Sequence, residues 1–522
     1  MPSKTDDLPS APLSLWMATT PRTKYPKLSG NHHVDVVIVG GGITGIVTGY
    51  LLKKAGFTVA IVEAQRICES VTGNTTAKIT SLHDLIYDYL ITHFGIEQAR
   101  MYGQANQQAI EKIFAIAKAE DISCDLVRKS AYTFAEKKEE VARIEKEVEA
   151  AKRLGLPASF VADVPLPLRT YGAIRFTQQA QFHPRTYLLA LAKTIPDGKS
   201  HIFEETRVVT IASEKKPKIE TKEGSISASY VTIASHYPFY DKAFYFARMQ
   251  QIRSYVLACE TKKLVDGMFI GLSQYSFRTQ TDKGKELLLI GGQDHIAGQE
   301  IDTNARYEAL KAYSSQHFAI SAVKYKWATQ DNFTLDRVPY IGKQHPLSKN
   351  IFVATGFNGW GMTHAHVAGM LFAEMLSGRH HPWEALYNPS RIHVRAMMPA
   401  LFHNGIDVAK ELIGRYTKKR DNADDLALDS GKVVTKNGKK VALYKDKKGK
   451  LHAVSAVFTH MGCIVALNDG EKTWDCPCHG SRFDTEGKVI QGPASKDLAR
   501  VEDDSLMQEE KRCKDCDCGK KN

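Results

Sequence analysis

The sequence predicts a large α/β domain built of interleaved halves, followed by a small all-β domain. Three observations predict it. From Val34 to about Arg391, strand-like and helix-like stretches alternate without an internal repeat. Glycine-rich turns joining a strand to a helix occur at both ends of that region. From Lys432 to about Val501, short strand-like segments recur with a turn roughly every ten residues.

Size and composition set the frame. The 522 residues, 43% apolar and 25% charged, suit a globular protein of two to four domains. No apolar run nears the ~20 residues needed to span a bilayer, so no membrane span is expected. The opening MPSKTDDLPSAPLSLW has acidic residues and no apolar stretch, unlike a secretory signal, and the expected location is cytoplasmic. The net charge of +12 gathers between Lys410 and Lys450, where Lys418, Lys419, Arg420, Lys439, Lys440, Lys445, Lys447 and Lys448 lie in linker and hairpin-like sequence. That pattern reads as a solvated face or a docking surface for an acidic partner, and no nucleic-acid partner is expected.

In chain order, residues 1–33 read as an arm with little periodicity, and 34–398 as the large domain. Residues 399–430 read as a helical and polar linker, 431–510 as the β-rich domain, and 511–522 as a cysteine-containing tail. Within the large domain, Ile96–Glu120 and Lys137–Leu154 have helical spacing; the second is heavily charged and expected to face solvent. Val208–Ile211, Tyr230–Ala234 and Leu287–Gly291 read as strands.

The first glycine turn carries the most chemistry. The apolar strand VDVVIVG runs into Gly40-x-Gly42-x-x-Gly45 and then a helix over Ile46–Ala55. Gly40 permits the tight turn, Gly42 lets backbone approach a pyrophosphate, and Gly45 lets helix and strand pack closely. Free amides at Ile43, Thr44 and Gly45 open the helix toward phosphate oxygens. A second strand, Phe57–Val62, ends at Glu63 and Ala64, and Glu63 is spaced to accept hydrogen bonds from ribose hydroxyls. Together these features predict dinucleotide binding. Near the other end, the strand Ile351–Thr355 leads into GFNGWGMT, where the amides of Gly361, Met362 and Thr363 would open a helix over His364–Leu376.

These residues resemble the D-amino-acid-oxidase family of flavoproteins, which includes glycine and sarcosine oxidases. The resemblance covers roughly residues 34–380 and rests on VDVVIVGGGITG, Glu63, Thr206-Arg207-Val208 and ATGFNGWGMTHA. It implies a Rossmann-like FAD domain (α/β) interleaved with an α+β substrate domain. It also implies FAD as cofactor, adenine contacted by the backbone of Val208, and the Val71–Ala77 loop, with Thr75, along the flavin. The helix opened by Gly361 would face the flavin's pyrimidine edge, where negative charge collects on reduction. Family members oxidise a C–N bond by hydride transfer to the flavin, giving an imine that hydrolyses.

Six of nine cysteines fall in the last sixty residues, which reads as metal or redox chemistry. Thr459-His460-Met461-Gly462-Cys463 and Cys476-Pro477-Cys478-His479-Gly480-Ser481, followed by Gly492-Pro493-Ala494, resemble a Rieske domain, a small all-β fold holding a 2Fe-2S cluster on two thiolates and two imidazoles. The resemblance places His460, Cys476 and His479 on ligand positions and makes Cys463 and Cys478 a disulfide pair. Phe458 stands where the family has its first cysteine ligand. Two readings stay open: a cluster completed by Cys463 or a tail cysteine, or a β-fold that holds no cluster. The tail's Cys513, Cys516 and Cys518 include one C-x-x-C, which alone is a weak zinc signal.

Arg278 is the candidate to fork a substrate carboxylate. His236, Tyr237, His364 and His366 follow strands or turns that could face the flavin, though a lone histidine is more often a structural partner. The expected activity is oxidation of an amine or amino-acid-like small molecule by FAD, with electrons leaving to oxygen or to a redox partner through the Rieske-like module. The alternative is a flavin-bound redox-sensing or interaction protein whose Rieske-like module is a cluster-free scaffold. A Rieske oxygenase would need a 2-His-1-carboxylate iron site, and the sequence offers no persuasive set.

Overall fold

In the computed structural model, the residues described are 8–212, 215–298, 302–393, 397, 426–436, 438–457, 463–477, 480–492, 494 and 496–501. Two compact units emerge: residues 1–295 with 305–402, and residues 296–304 with 403–522.

The first unit opens with a short helix, α1 (Leu15–Ala18), capped by the Ser14 hydroxyl. Leu15 and Trp16 are fully buried, so this part of the arm belongs to the core. Then come β1 (Gly30–Val39), α2 (Ile43–Lys54) and β2 (Val59–Val62), a parallel β-α-β crossover with every residue of β2 buried. Past the short α3 (Ser70–Gly73) and β3 (Lys78–Ile79) lie α4 (Tyr87–Phe94), α5 (Ile96–Ala119), β4 (Val127–Phe134), α6 (Val141–Arg153), β5 (Ala158–Val161) and β6 (Ala173–Gln181). The chain continues through α7 (Pro184–Lys193), β7 (His201–Phe203), β8 (Thr210–Ile211), β9 (Lys218–Glu220) and β10 (Gly224–Ile233). Five strands follow, interrupted by one helix: β11 (Met249–Thr261), β12 (Met268–Gly271), β13 (Ser276–Asp282), β14 (Lys285–Ile296), α8 (Thr303–Phe318) and β15 (Ile320–Thr334). Last come β16 (Tyr340–Lys343), β17 (Ile351–Thr355) and α9 (Gly361–Leu376).

These strands form two sheets. One runs β16-β17-β10-β1-β2-β7, with β17, β10, β1, β2 and β7 parallel. The other runs β15-β11-β14-β13-β12-β4-β6-β3 and is mostly antiparallel. Strands from both appear alternately along the chain, which is the interleaving expected from sequence. One large core joins α2, α5, α7 and α9 to the near face of the second sheet; β11, β13 and β14 turn their other face, with Tyr255, Phe277, Leu288 and Ile290, into a separate core.

Two expectations change. Val208 precedes the strand, which is confined to Thr210–Ile211. The charged helix α6 is not simply a solvated face, because Glu147 is fully buried and accepts from the Tyr87 and Asp88 amides at 2.6 and 2.9 Å. Those are orphan donors at the start of α4, so an acid turned inward is consumed as a helix cap. Burial still pushes that carboxyl up to about 7.

In the second unit, β18 (Ser430–Lys436), β19 (Lys439–Lys445) and β20 (Leu451–Ser455) form an antiparallel meander. β21 (Ala466–Asn468), β22 (Thr473–Asp475), β23 (Arg482–Phe483) and β24 (Val489–Gln491) form a second one. Val454, Val465, Trp474 and Phe483 share one core.

Candidate functional site

The first glycine turn adopts the conformation its sequence demands. Gly40 has φ +113, and a Cβ there would strike the Ala234 backbone. A Cβ on Gly45 would overlap the carbonyl oxygen of Gly40, so α2 crosses β1 at a distance only glycine allows. The helix begins at Ile43, earlier than the sequence reading, with Gly42 as N-cap and no side-chain cap. Thr72 Oγ1 accepts from the Ile43 amide at 3.0 Å, and no side chain among the described residues accepts from Thr44 or Gly45. Those amides are the kind of orphan donors that hold phosphate. Glu63 accepts from the amides of Gly41 and Gln65 at 2.7 and 2.8 Å, which fixes its carboxylate beside the turn. Ala64 follows it at the strand end, and the Thr206 amide donates to the Glu63 carbonyl at 2.9 Å, bringing buried Val208 alongside. These features fit the adenosine and pyrophosphate of a dinucleotide.

The Gly73–Lys78 loop is clamped from behind. Ser14 Oγ donates to the Gly73 carbonyl, Trp327 Nε1 to that of Asn74 at 2.8 Å, Trp16 Nε1 to that of Thr75 at 2.7 Å, and Arg278 Nη1 to that of Ala77 at 2.6 Å. Four side chains from three distant segments thus hold consecutive stretches of one loop. Nothing in the local sequence signals this, and Ser14, Trp16 and Trp327 were not among the expected site residues.

The second glycine turn is equally shaped. Gly356, Asn358 and Gly359 all have positive φ. Asn358 Oδ1 accepts from the Thr334 amide at 2.7 Å and its Nδ2 donates to Arg337, tying the turn to the large sheet. Helix α9 starts at Gly361, three residues before the expected start, with Trp360 as N-cap and no side-chain cap. A Cβ on Gly361 would meet only Phe357, at 3.9 Å. Met362 and Thr363 follow in the first turn, both buried. The His83 ring stacks on Trp360 at 4.6 Å.

In the second unit, Cys476 is buried in a tight turn: its amide donates to the Ser481 carbonyl and its carbonyl accepts from the Gly480 amide, both at 2.7 Å. Ser481 Oγ accepts from Ala494 at 3.0 Å, drawing the two expected loops together. Cys463 is disulfide-bonded, to a partner outside the described residues. His460, Cys478, His479 and Phe458, and the tail with Cys513, Cys516 and Cys518, lie outside the described residues. A phenyl ring has no donor atom for iron, so the residues present do not complete the usual two-thiolate, two-imidazole set.

The model of the FAD dependent oxidoreductase family matches residues 35–375, and that of the Rieske [2Fe-2S] domain matches 418–502. This chain belongs to the FAD-dependent oxidoreductase family. Its relatives include the Bacillus subtilis protein YhfW, named for a Rieske 2Fe-2S iron-sulfur module, 39% identical over 94% of this chain and 98% of YhfW. The gamma-glutamylputrescine oxidoreductase of Escherichia coli is 25% identical over 68% of this chain and 86% of its own length. Among solved structures, glycine oxidase from Geobacillus kaustophilus superposes with a TM-score of 0.59 at 18% identity, covering 69% of this chain and all but 1% of that one. The fold is therefore a glycine-oxidase-like FAD fold followed by a small all-β Rieske domain. The family binds FAD, and a Rieske domain indicates a 2Fe-2S cluster. No helix among the described residues is long and apolar enough to cross a membrane.

Within this FAD-dependent oxidoreductase, the expected carboxylate fork is placed beneath the loop. Arg278 is fully buried; it bonds the Ala77 carbonyl and Gln280 Oε1, and sits 5.5 Å from the Trp16 ring centre. Desolvation pushes its guanidinium down to about 9. As placed, both Nη atoms are spent on chain groups, while Nε has no hydrogen-bond partner among the described residues. His236 bonds the Gln330 carbonyl, His364 the Tyr102 hydroxyl, and His366 the Tyr187 hydroxyl and Met362 carbonyl; all three are pushed down by burial and held neutral. They serve as structural partners. Tyr237 is buried in the core of the parallel sheet.

Sequence reasoning missed a chain of neighbouring ionisable groups, Lys78, Asp84, Asp294 and Asp331. Lys78 Nζ lies 3.1 Å from both Thr76 Oγ1 and Ser276 Oγ, and burial pushes it down to about 7. Asp84 is open to water, yet the protein packed round it raises its carboxyl to about 6 against the pull of Arg337 and Lys78. Asp294 and Asp331 are raised to about 6 and 7 by burial and then by neighbouring carboxylates.

Proposed function

We propose that this FAD-dependent oxidoreductase oxidises a C–N bond of an amine or amino-acid-like small molecule. The observation that carries the reading is that three features meet: the α2 N-terminus, whose Thr44 and Gly45 amides have no side-chain acceptor among the described residues; the clamped Gly73–Lys78 loop, next to Thr72, which accepts from the Ile43 amide; and the α9 N-terminus, whose Thr363 hydroxyl donates to the Thr80 carbonyl. FAD, when bound, accepts the hydride from the carbon next to nitrogen. Gly40, Gly42, Ile43, Thr44, Gly45, Glu63, Ala64 and Val208 would hold its adenosine diphosphate part. Thr75 would lie along the ring, and the amides of Gly361, Met362 and Thr363 would meet negative charge at its pyrimidine edge. Arg278, Trp16, Trp327 and Ser14 act as positioning residues for the loop. The C–N substrate class is supported by gamma-glutamylputrescine oxidoreductase and glycine oxidase, whose names state such substrates.

A Rieske-type module beside a flavin suits one-electron delivery, because a reduced flavin gives up electrons singly. With phenylalanine at 458 the ligand set is one thiolate short, so we assign the electrons to oxygen or an external redox partner. Phe458 also favours a second reading, a flavin-bound sensor with a cluster-free scaffold. Anaerobic mixing of the FAD-loaded chain with a panel of amines and amino acids tests both: turnover-linked bleaching of the flavin supports the enzyme, whereas a flavin that no amine reduces supports the sensor.

A further inference from the structure

We propose that the flavin-facing side of the large sheet carries a subsite for an alkylammonium group, built from Asp294, Asp331 and Thr329. The inference rests on the flavoenzyme reading above and deepens it, because it names the charge of the substrate.

Strand register puts these groups together. In the β11–β15 pair, Val256 faces Trp327, Ser254 faces Thr329 and Ile252 faces Asp331, so all six side chains share one side. Trp327 bonds the Asn74 carbonyl, which identifies that side as the one beneath the flavin loop. On β14 the alternation at first places Leu287 and Leu289 on this side and Leu288 and Ile290 on the other. Gly292 and Gln293 then both take positive φ, and the alternation changes phase. His295 therefore reaches the Tyr255 hydroxyl on the far side at 3.0 Å, while Asp294 turns to the flavin side, where Ser254 hydrogen-bonds its carboxylate.

The resulting group is incomplete as a protein-only arrangement. Asp294 Oδ1 and Thr329 Oγ1 are both out of reach of water and without a hydrogen-bond partner among the described residues. Asp294 lies close enough to hold the Asp331 carboxyl up, Asp84 does the same to Asp294, and neither Asp294 nor Asp331 forms an ion pair with a lysine or arginine among the described residues. Buried carboxylates without a counter-cation and buried oxygens without a donor are both costly, and both are relieved by one ligand: a cation with several N–H donors. An alkylammonium offers three. A carboxylate ligand would meet repulsion here, and the buried Arg278 directs both Nη atoms to Ala77 and Gln280.

The test uses the full-length FAD-loaded chain and three probes of matched shape: butylammonium, butanol and butyrate, followed by the visible flavin spectrum. Butylammonium is expected to perturb the spectrum saturably and to bind at least tenfold more tightly than either of the others. Asp294→Asn and Asp331→Asn should each weaken it at least tenfold with FAD content unchanged; Thr329→Val, a milder change, should weaken it several-fold and keeps the test alive if an Asn variant misfolds. Butyrate binding better than butylammonium would overturn the proposal. So would Asn variants that bind butylammonium as the parent does, or that lose FAD instead, which would assign these carboxylates to the cofactor. A preparation that takes up no FAD would defeat the flavoenzyme reading itself, a distinct outcome.

Discussion

Trp16→Phe tests whether the N-terminal arm is part of the flavin site. The indole Nε1 donates to the Thr75 carbonyl at 2.7 Å, and its ring lies 5.5 Å from the Arg278 guanidinium. Phenylalanine keeps a ring in the same buried place but leaves the carbonyl without its donor. An unsatisfied buried acceptor costs about 1–3 kcal/mol. The smaller ring loses packing worth about 1 kcal/mol and some cation–π attraction worth about 0.5 kcal/mol. The expected destabilisation is therefore about 2.5–4.5 kcal/mol, read as a lower urea midpoint with an unchanged slope. Because the freed carbonyl belongs to the loop assigned to the flavin, FAD should also bind about tenfold more weakly, equivalent to about 1.4 kcal/mol of that cost. Fluorescence titration of the flavin-free chain measures this directly. A variant whose urea midpoint and FAD affinity both match the parent would refute the clamp.

Gly45→Ala forces a methyl group onto the Gly40 carbonyl, and overpacking of about 1–3 kcal/mol should weaken FAD binding tenfold to a hundredfold in the same titration. Lys78 is held near 7 in the fold against about 10.4 when unfolded, so between those values only the unfolded chain keeps its proton. Its contribution to stability accordingly rises with pH from about 7 to 10, by at most about 1.4 kcal/mol per pH unit, and is lowest below 7. Denaturation of flavin-free Lys78→Met across this range should show a flatter slope than the parent, and an unchanged slope would contradict the assignment. Phe458→Cys restores the missing thiolate and should raise iron, acid-labile sulfide and the EPR signal of the reduced protein; a parent chain already carrying a full cluster would sink the ligand argument.

What the sequence determined by itself was local. A strand, three glycines and a helix specify a phosphate-binding turn because the backbone conformations involved are open almost only to glycine, and neighbouring residues suffice to demand them. The same holds for the GFNGWG turn and for the paired Rieske loops, each written in contiguous residues. Helix starts moved by three residues at Gly361 and Ile43, since propensity cannot see which amides tertiary packing recruits.

What only the tertiary structure decided was longer in reach. The loop over Thr75 is held by partners 59, 201 and 253 positions away, and no periodicity links Trp16, Arg278 and Trp327. Arg278 looked like an exposed fork until the fold buried it beneath Ala77, and Glu147 like one of many solvated acids until α4 presented two amides to it. Asp294 sits on the opposite side from the one simple alternation along β14 would give it; the positive-φ pair Gly292 and Gln293 reverses the phase, and a backbone reversal of this kind depends on strand pairing. Each outcome turns on desolvation and on distant donors, quantities that exist once the chain has closed on itself.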